Sequence, residues 1–545
     1  MTNFDLCGHV FNFLKKVDCD TVIICAGARN APFVFNLENE PFKKVFFFEE
    51  RSAAFFALGL MKQQNKPVAI ITTSGTAVAE LLPATIESFY QGLPLILITA
   101  DRPKTYRHSG APQAIQQVGI FTDYVEHCYD WDVSMAELKV QAQLQKPIHF
   151  NVCFNEPLSD KASASPGQFV FEKKAENHYP VASDGLFADI KNPLVIVSQI
   201  EPKQKKEVLD FLLKLKAPVY LEALSQLKGE ALLAPYLVNS SDAFVKTIFQ
   251  EGLCKSVIRI GGVPTLRFWR DLEDKFSDKP VFNFTNLAFS GLSRKTNNFK
   301  LDLKNFKFNT ASESISTAAF DSTAALTSTS VSGLINNPLE KIKSKDGLLL
   351  KTKAQLFNEY PLSEPACIKN LSLAIKNDPI YLGNSLPIRE WDLFAAIEST
   401  GQQAVYANRG ANGIDGQVST YLGWSQGVQT SWCLVGDLTA MYDLASLGLT
   451  NQLETKNRKR IVVMNNHGGH IFKRVFNTDK FLNTHQVEFE MWAKMWKWDY
   501  LKITAVSDFK LLENHSSQNL VVEIKPDGQQ TTGFWNAWDH ACNKI

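Results

Sequence analysis

The chain has 545 residues, enough for several domains; 45% are apolar and 21% charged, proportions typical of folded globular proteins. A net charge of +1 points to neither nucleic acid nor integral membrane contact. Nine cysteines without a CxxC pair argue against a disulfide framework and for a reducing cytoplasm. The opening Met1-Thr2-Asn3-Phe4-Asp5 lacks the basic start and apolar core of a signal peptide. No apolar run approaches the ~20 residues of a membrane helix.

In chain order, residues 1 to about 180 alternate strands and helices. Thr21 to Cys25 reads as a buried strand ending in Ala26-Gly27-Ala28-Arg29. Val45 to Phe48 is a second, followed by Glu49-Glu50-Arg51 and a helix over Ser52–Lys62 with small residues on one face. Val68 to Thr73 ends in Ser74-Gly75-Thr76, and Leu95 to Thr99 ends in Ala100-Asp101-Arg102. Four apolar strands ending in small or charged residues predict a parallel sheet whose carboxyl edge carries the function. A second α/β unit runs from about 185 to 305, with strands at Pro193–Ser198 and Ser256–Gly262. Asn309–Ser332 is Ser/Thr/Ala-rich and reads as a connection. A third unit starts near 350; the first and third share a build. Ten tryptophans and 38 phenylalanines imply large cores or subunit interfaces.

The third unit holds the organising stretch. Cys433-Leu434-Val435 reads as a strand end, Gly436-Asp437 as a turn, and Leu438–Leu449 as a helix. A charged loop, Glu454–Arg460, leads to a second buried strand, Ile461–Met464, that ends in Asn465-Asn466-His467-Gly468-Gly469. Alone, each half reads as a helix cap or a surface turn. Together they bring a carboxylate, an amide and free carbonyls to one crevice, an all-oxygen set suited to Mg²⁺ holding a diphosphate, with helix-start N–H groups for the phosphates.

The pair resembles the thiamin diphosphate motif. Further strings are Phe48-Glu49-Glu50-Arg51-Ser52-Ala53-Ala54, Thr73-Ser74-Gly75-Thr76-Ala77, Ala100-Asp101-Arg102-Pro103, Ser109-Gly110-Ala111-Pro112-Gln113, Asn408-Arg409-Gly410-Ala411-Asn412-Gly413-Ile414-Asp415-Gly416 and Asn465 to Phe472. They resemble the 2-succinyl-5-enolpyruvyl-6-hydroxy-3-cyclohexene-1-carboxylate synthases of menaquinone synthesis. The likeness covers both ends of the chain and is loose in the middle. It implies an α/β fold of three doubly wound parallel-sheet domains: pyrimidine-binding (1–182), middle with the Ser/Thr-rich connection (183–345) and diphosphate-binding (346–545). The implied reaction decarboxylates 2-oxoglutarate and adds the succinyl carbanion to isochorismate, with thiamin diphosphate and Mg²⁺, or Mn²⁺, as cofactors. The resemblance also implies a homodimer or homotetramer, with the cofactor between Glu50 of one subunit and Asp437 of the partner subunit.

By the same resemblance Glu50 is the cofactor-activating acid, and Asp437, Asn466 and the Gly468 carbonyl are metal ligands. Thr73, Gly75, Asn384, Ser385, Gly436 and Leu438 line the cofactor, and Ile414 is the apolar wedge beneath it. Arg29, Arg102, Arg389 and Arg409, with Gln113 and with Arg294 or Lys295 from the middle unit, face the substrate carboxylates. Arg29, Arg389 and Arg409 are also assigned to catalysis, and Ile471 and Phe472 to the pocket wall. Read without the resemblance, Glu49-Glu50-Arg51 is a helix start with an internal ion pair, and each arginine is ordinary surface charge. His470 faces substrate or serves as a turn residue, and Gly261-Gly262 is a packing pair. Ala28 and Phe47 replace a serine and a histidine usual in the family. They keep open a different acceptor, or a non-catalytic cofactor-binding homologue.

Overall fold

The computed structural model describes residues 1–159, 168–176, 179–183, 186, 190–304, 338–396, 403–453, 457–473, 476, 478–513 and 515–545. The Ser/Thr-rich connection and residues 454–456 of the charged loop lie outside them.

Three all-parallel sheets organise these residues. The first contains, in spatial order, Lys43–Phe46, Thr21–Cys25, Val68–Thr72, Leu95–Asp101, Ile148–Cys153 and Cys128–Asp132. The second runs Val219–Leu221, Pro193–Val197, Ser256–Ile260, Val281–Phe284 and Asn297–Phe299. The third runs Val405–Tyr406, Ile380–Leu382, Thr430–Gly436, Arg458–Met464, Asn519–Ile524 and Asp499–Ile503. Counted along the chain within each sheet, the first and third have the same strand order, 2-1-3-4-6-5. Both therefore reverse direction between their first and third strands, where an open α/β sheet leaves a crevice at its carboxyl edge.

The strands are buried apolar runs because helices cover both sheet faces: Thr21–Cys25, Val68–Thr72 and Leu95–Asp101 are buried throughout. Two strands of the first sheet escaped the sequence reading. His149 and Asn151 interrupt one apolar run, and Cys128–Asp132 is half-exposed. A separate two-stranded parallel sheet pairs Glu137–Ala142 with Gln168–Lys173.

Other expected bounds shift for local reasons. The strand after Lys43 stops at Phe46, so that Phe47 is buried while Phe48 stands 67% exposed. The helix begins at Glu50 and runs to Gln64, with the Glu49 carboxylate capping Ser52 N at 3.0 Å. The helix expected over Leu438–Leu449 is Asp437–Tyr442 followed by a 3₁₀ segment, Ser446–Gln452. Asp443 breaks it. Its carboxylate turns away to accept from Gly416, Val418 and Ser419 N. Arg458–Arg460, expected in the charged loop, begins the next strand, because Thr430 pairs with Arg458.

The first and third units meet where helix Glu50–Gln64 crosses helix Gln417–Trp424. A Cβ built on Gly59 would collide with Thr420 O and Trp424 N, and one on Gly423 with Phe56 O. The backbones touch, with Phe55, Phe56, Tyr421 and Trp424 in one apolar cluster around them. Gly59→Ala and Gly423→Ala should each cost about 1–3 kcal/mol by overpacking. The check is a lower urea midpoint at unchanged slope. Gly8→Ala, in a helix with open space at the Cβ, should not lower it.

Candidate active site

The register of the third sheet builds the centre of the site. Gly436 pairs with Met464 on the adjacent parallel strand. Asp437 and Asn465-Asn466 therefore leave the sheet side by side, and one strand over, Leu382, opposite Leu434, delivers Asn384 and Ser385. Asp437 is buried; its Oδ1 accepts from Leu438 N at 2.6 Å and its Oδ2 from Gly468 N at 2.9 Å. Burial raises its pKa, with His485 opposing: His485 Nε2 stands 3.1 Å from Oδ2. The Asn466 amide N donates to both oxygens of Glu364, at 3.2 and 3.0 Å. Asn466 Oδ1 is shielded from solvent and accepts no hydrogen bond.

Those oxygens fit a hard divalent cation. A buried carboxylate and an unused buried amide oxygen belong to the ends of adjacent strands, and Gly468 (φ +145) holds a backbone shape that side chains disfavour. Among the described residues no three His, Cys, Asp or Glu side chains cluster to hold a metal, so His467 and His470 find no tetrahedral partner set.

The loop from Asn408 to Gly416 closes one side. Gly410 N and Ala411 N each donate to Glu87 at 2.7 Å, tying this loop to a helix of the first unit. Asn384 joins it twice, donating to Gly413 O at 2.7 Å and accepting from Arg409 Nη1 at 2.9 Å. Ile414 is half-buried on the same loop. Arg409 loses hydration, which lowers its pKa against the pull of Glu222. Arg389 donates to Thr265 O at 2.7 Å, across to the middle unit. A cavity of about 550 Å³ opens beside Arg409, Gly410 and Asn412, walled by Tyr90 and by Leu287–Ser293 of the middle unit.

The first sheet brings its own strand ends together. Arg29 N donates to Thr73 Oγ1 at 3.3 Å, and buried Arg29 reaches Glu156 at 3.2 Å. Gly75 N donates to buried Gln117 at 3.0 Å, and Gln113 packs on Gly75. Arg102 donates to Pro112 O and lies over Tyr106. Glu50 occupies the first turn of its helix, half-buried, and burial raises its pKa. Next to it Arg51 donates to Tyr442 O at 2.6 Å and pairs loosely with Glu49 at 3.7 Å. Arg294 donates to Leu272 O and Lys279 O, within the middle unit, and Lys295 is exposed nearby. Ile471 is half-buried and Phe472 partly exposed, on a short 3₁₀ turn after the glycine pair.

Sequence reasoning passed over Glu364, Glu390, Glu87, Gln117, Asp443 and His485. None sits in a motif string; each lies far along the chain from the group it contacts. Gly261-Gly262 is a packing pair: a Cβ on Gly261 would collide with Gln199 O, and Gly262 N donates to that same carbonyl.

The family model "Thiamine pyrophosphate enzyme, N-terminal TPP binding domain" matches residues 6–120. The 2-succinyl-5-enolpyruvyl-6-hydroxy-3-cyclohexene-1-carboxylate synthase of Bdellovibrio bacteriovorus is 42% identical over 99% of each chain. The protein of that name in Akkermansia muciniphila is 37% identical over 93% of each. The one in Staphylococcus epidermidis is 31% identical over 93% of this chain and 92% of its own. With that likeness running through all three sheets, the chain belongs to the family of thiamin diphosphate- and metal-dependent 2-succinyl-5-enolpyruvyl-6-hydroxy-3-cyclohexene-1-carboxylate synthases.

Proposed function

We propose that the chain is the carboligase its family name describes. It takes 2-oxoglutarate and isochorismate, releases CO₂ and joins the succinyl unit to the ring, a step in menaquinone synthesis. The observation that carries the reading is the crevice where Asp437 and Asn466 leave adjacent strands, with the Asn466 oxygen shielded and without a partner. There Asp437, Asn466 and the Gly468 carbonyl would hold Mg²⁺, while Gly436 and the N–H groups from Leu438 onward would take the diphosphate. Bound thiamin diphosphate supplies the electron sink that lets a 2-oxoacid lose CO₂. The protein's residues place and protonate. Glu50, whose pKa burial raises, would share a proton with the aminopyrimidine ring nitrogen. Thr73 and Gly75 would line that ring, with Asn384 and Ser385 along the cofactor and Ile414 beneath it. Arg409, fixed by Asn384, and Arg389, fixed by Thr265, would hold substrate carboxylates. Arg29, Arg102, Gln113, Arg294 and Lys295, with Ile471 and Phe472 at the wall, complete the proposed substrate set. The first, second and third sheets would belong to pyrimidine-binding, middle and diphosphate-binding domains, with bounds near 182 and 345.

The competent unit would be a homodimer, or a tetramer of two such pairs, in the cytoplasm. Supporting it is a partly apolar face next to Glu50. Phe48 (67% exposed), Tyr442 (52%) and Met491 (70%) lie on it with Leu444. Arg51, Trp492 and Trp496 bind these segments to one another by donating to Tyr442 O and Leu444 O. An exposed face of this kind calls for a partner. The nine free thiols agree with a reducing compartment.

Ala28 and Phe47 favour keeping one rival, a carboligase with another acceptor. Purified protein with Mg²⁺, thiamin diphosphate, 2-oxoglutarate and isochorismate should lose isochorismate and release CO₂ in step. CO₂ release without isochorismate loss would reject the acceptor, and cofactor binding without either signal would leave only a sensor. Glu50→Gln should bind Mg²⁺ and thiamin diphosphate as the wild type does, yet lose about 10²–10⁴-fold in turnover. Phe48→Glu with Met491→Glu should sediment as a monomer and lose turnover; an active monomer would overturn the shared site.

A further inference from the structure

Glu364 is distant in sequence from every motif, yet it holds the residue at the centre of the site. It opens the helix Glu364–Ile375, with Ser363 as the cap and its own N–H donated to Thr531 Oγ1 at 3.0 Å. It is 3% exposed. Both of its oxygens accept from the Asn466 amide nitrogen. Buried Glu390, one turn along the helix that starts at Leu386, hydrogen-bonds to it from behind.

An asparagine amide can present either its oxygen or its NH₂ to a ligand, and the two are close to isosteric. Turned one way, Asn466 offers a lone pair to a cation; turned the other, it offers two hydrogens and repels it. A carboxyl group whose two oxygens both accept from the amide nitrogen decides between them. With Glu364 taking the NH₂, Asn466 Oδ1 is the atom left without a partner, shielded from solvent, on a strand end next to the one that carries Asp437.

We propose that Glu364 is a positioning residue for the divalent cation: it fixes the Asn466 amide so that its oxygen faces the metal. This rests on the metal reading above. It makes the pair Glu364–Asn466, rather than Asn466 alone, the unit that determines affinity at this position. Partners outside the ligand set commonly change metal affinity 10–100-fold when removed.

The test is Mn²⁺ binding to the full-length protein saturated with thiamin diphosphate, read from the free-Mn²⁺ EPR signal. Glu364→Leu, which removes the acceptor, should weaken binding about 10–100-fold. Glu364→Gln, which keeps one acceptor oxygen, should stay within about threefold of wild type. Asn466→Asp has oxygen on both arms and needs no orienting, so in the Glu364→Leu background it should restore Mn²⁺ binding. A merely structural role for Glu364 would not be rescued that way. Glu364→Met, equal in length to the native side chain, carries the same expectation and serves if the leucine variant does not fold. Wild-type affinity in Glu364→Leu or Glu364→Met, or no recovery in the double variant, would overturn the proposal. Asn466→Ala separates it from the reading beneath. If that variant loses Mn²⁺ while the Glu364 variants do not, only the orienting role fails. If Asn466→Ala binds Mn²⁺ normally, the metal assignment falls and the proposal with it.

Discussion

The packing of the first unit on the third depends on how closely two helices approach. Helix Glu50–Gln64 carries the carboxylate proposed to activate the cofactor, and helix Gln417–Trp424 follows the loop that carries Arg409 and Ile414. At Gly59 and Gly423 each backbone lies against the other with no room for a methyl group. Close packing of this kind transmits position stiffly, because a core at crystal-like density has no slack to absorb a shift. The distance between the first sheet and the Asn408–Gly416 loop is therefore set by two missing side chains. Glu87 fixes the same loop from the next helix by accepting from Gly410 and Ala411.

The two outer sheets share a strand order, and each places proposed site residues at the same topological point. In the first sheet that point holds Arg29 against Thr73; in the third it holds Asn384 against Arg409 and Gly413. Parallel strands in register deliver groups from distant parts of the chain to one level. That is how Asp437 and Asn466, 29 residues apart in sequence, come to stand together. The second sheet contributes differently. It supplies a wall to the cavity beside Arg409 and a carbonyl, Thr265 O, that holds Arg389.

Burial of charge is the recurring cost of this design. Asp437, Glu364, Glu390, Glu222 and Asp443 are all buried carboxyls, and most carry raised pKa values because water has been removed from them. Their compensation is backbone N–H and amide donors. Asp443 takes three backbone N–H groups and in doing so ends one helix and anchors the next. Glu222 takes Thr265 N and Leu266 N, and Thr265 Oγ1 also reaches Asp392. Around the proposed metal site the Asn466 amide oxygen is shielded from solvent and accepts no hydrogen bond.

The amino-acid sequence by itself determined the fold class and the family. Apolar runs ending in Gly, Asp, Asn and Arg can be little else than buried parallel strands with a polar carboxyl edge, and the strings around Glu50, Arg409, Asp437 and Asn466 are local. Short-range signals survive without coordinates because they depend on neighbours in the chain. What only the tertiary structure decided depends on neighbours in space. Asp443 ended the helix expected to run to Leu449 because its carboxylate found three N–H groups on another loop. The strands at Cys128 and Ile148 were hidden because polar His149 and Asn151 are satisfied by Thr99 and Gln117, partners no local window contains. The direction in which Asn466 points was set by Glu364, 102 residues away, and no periodicity or spacing could have revealed it.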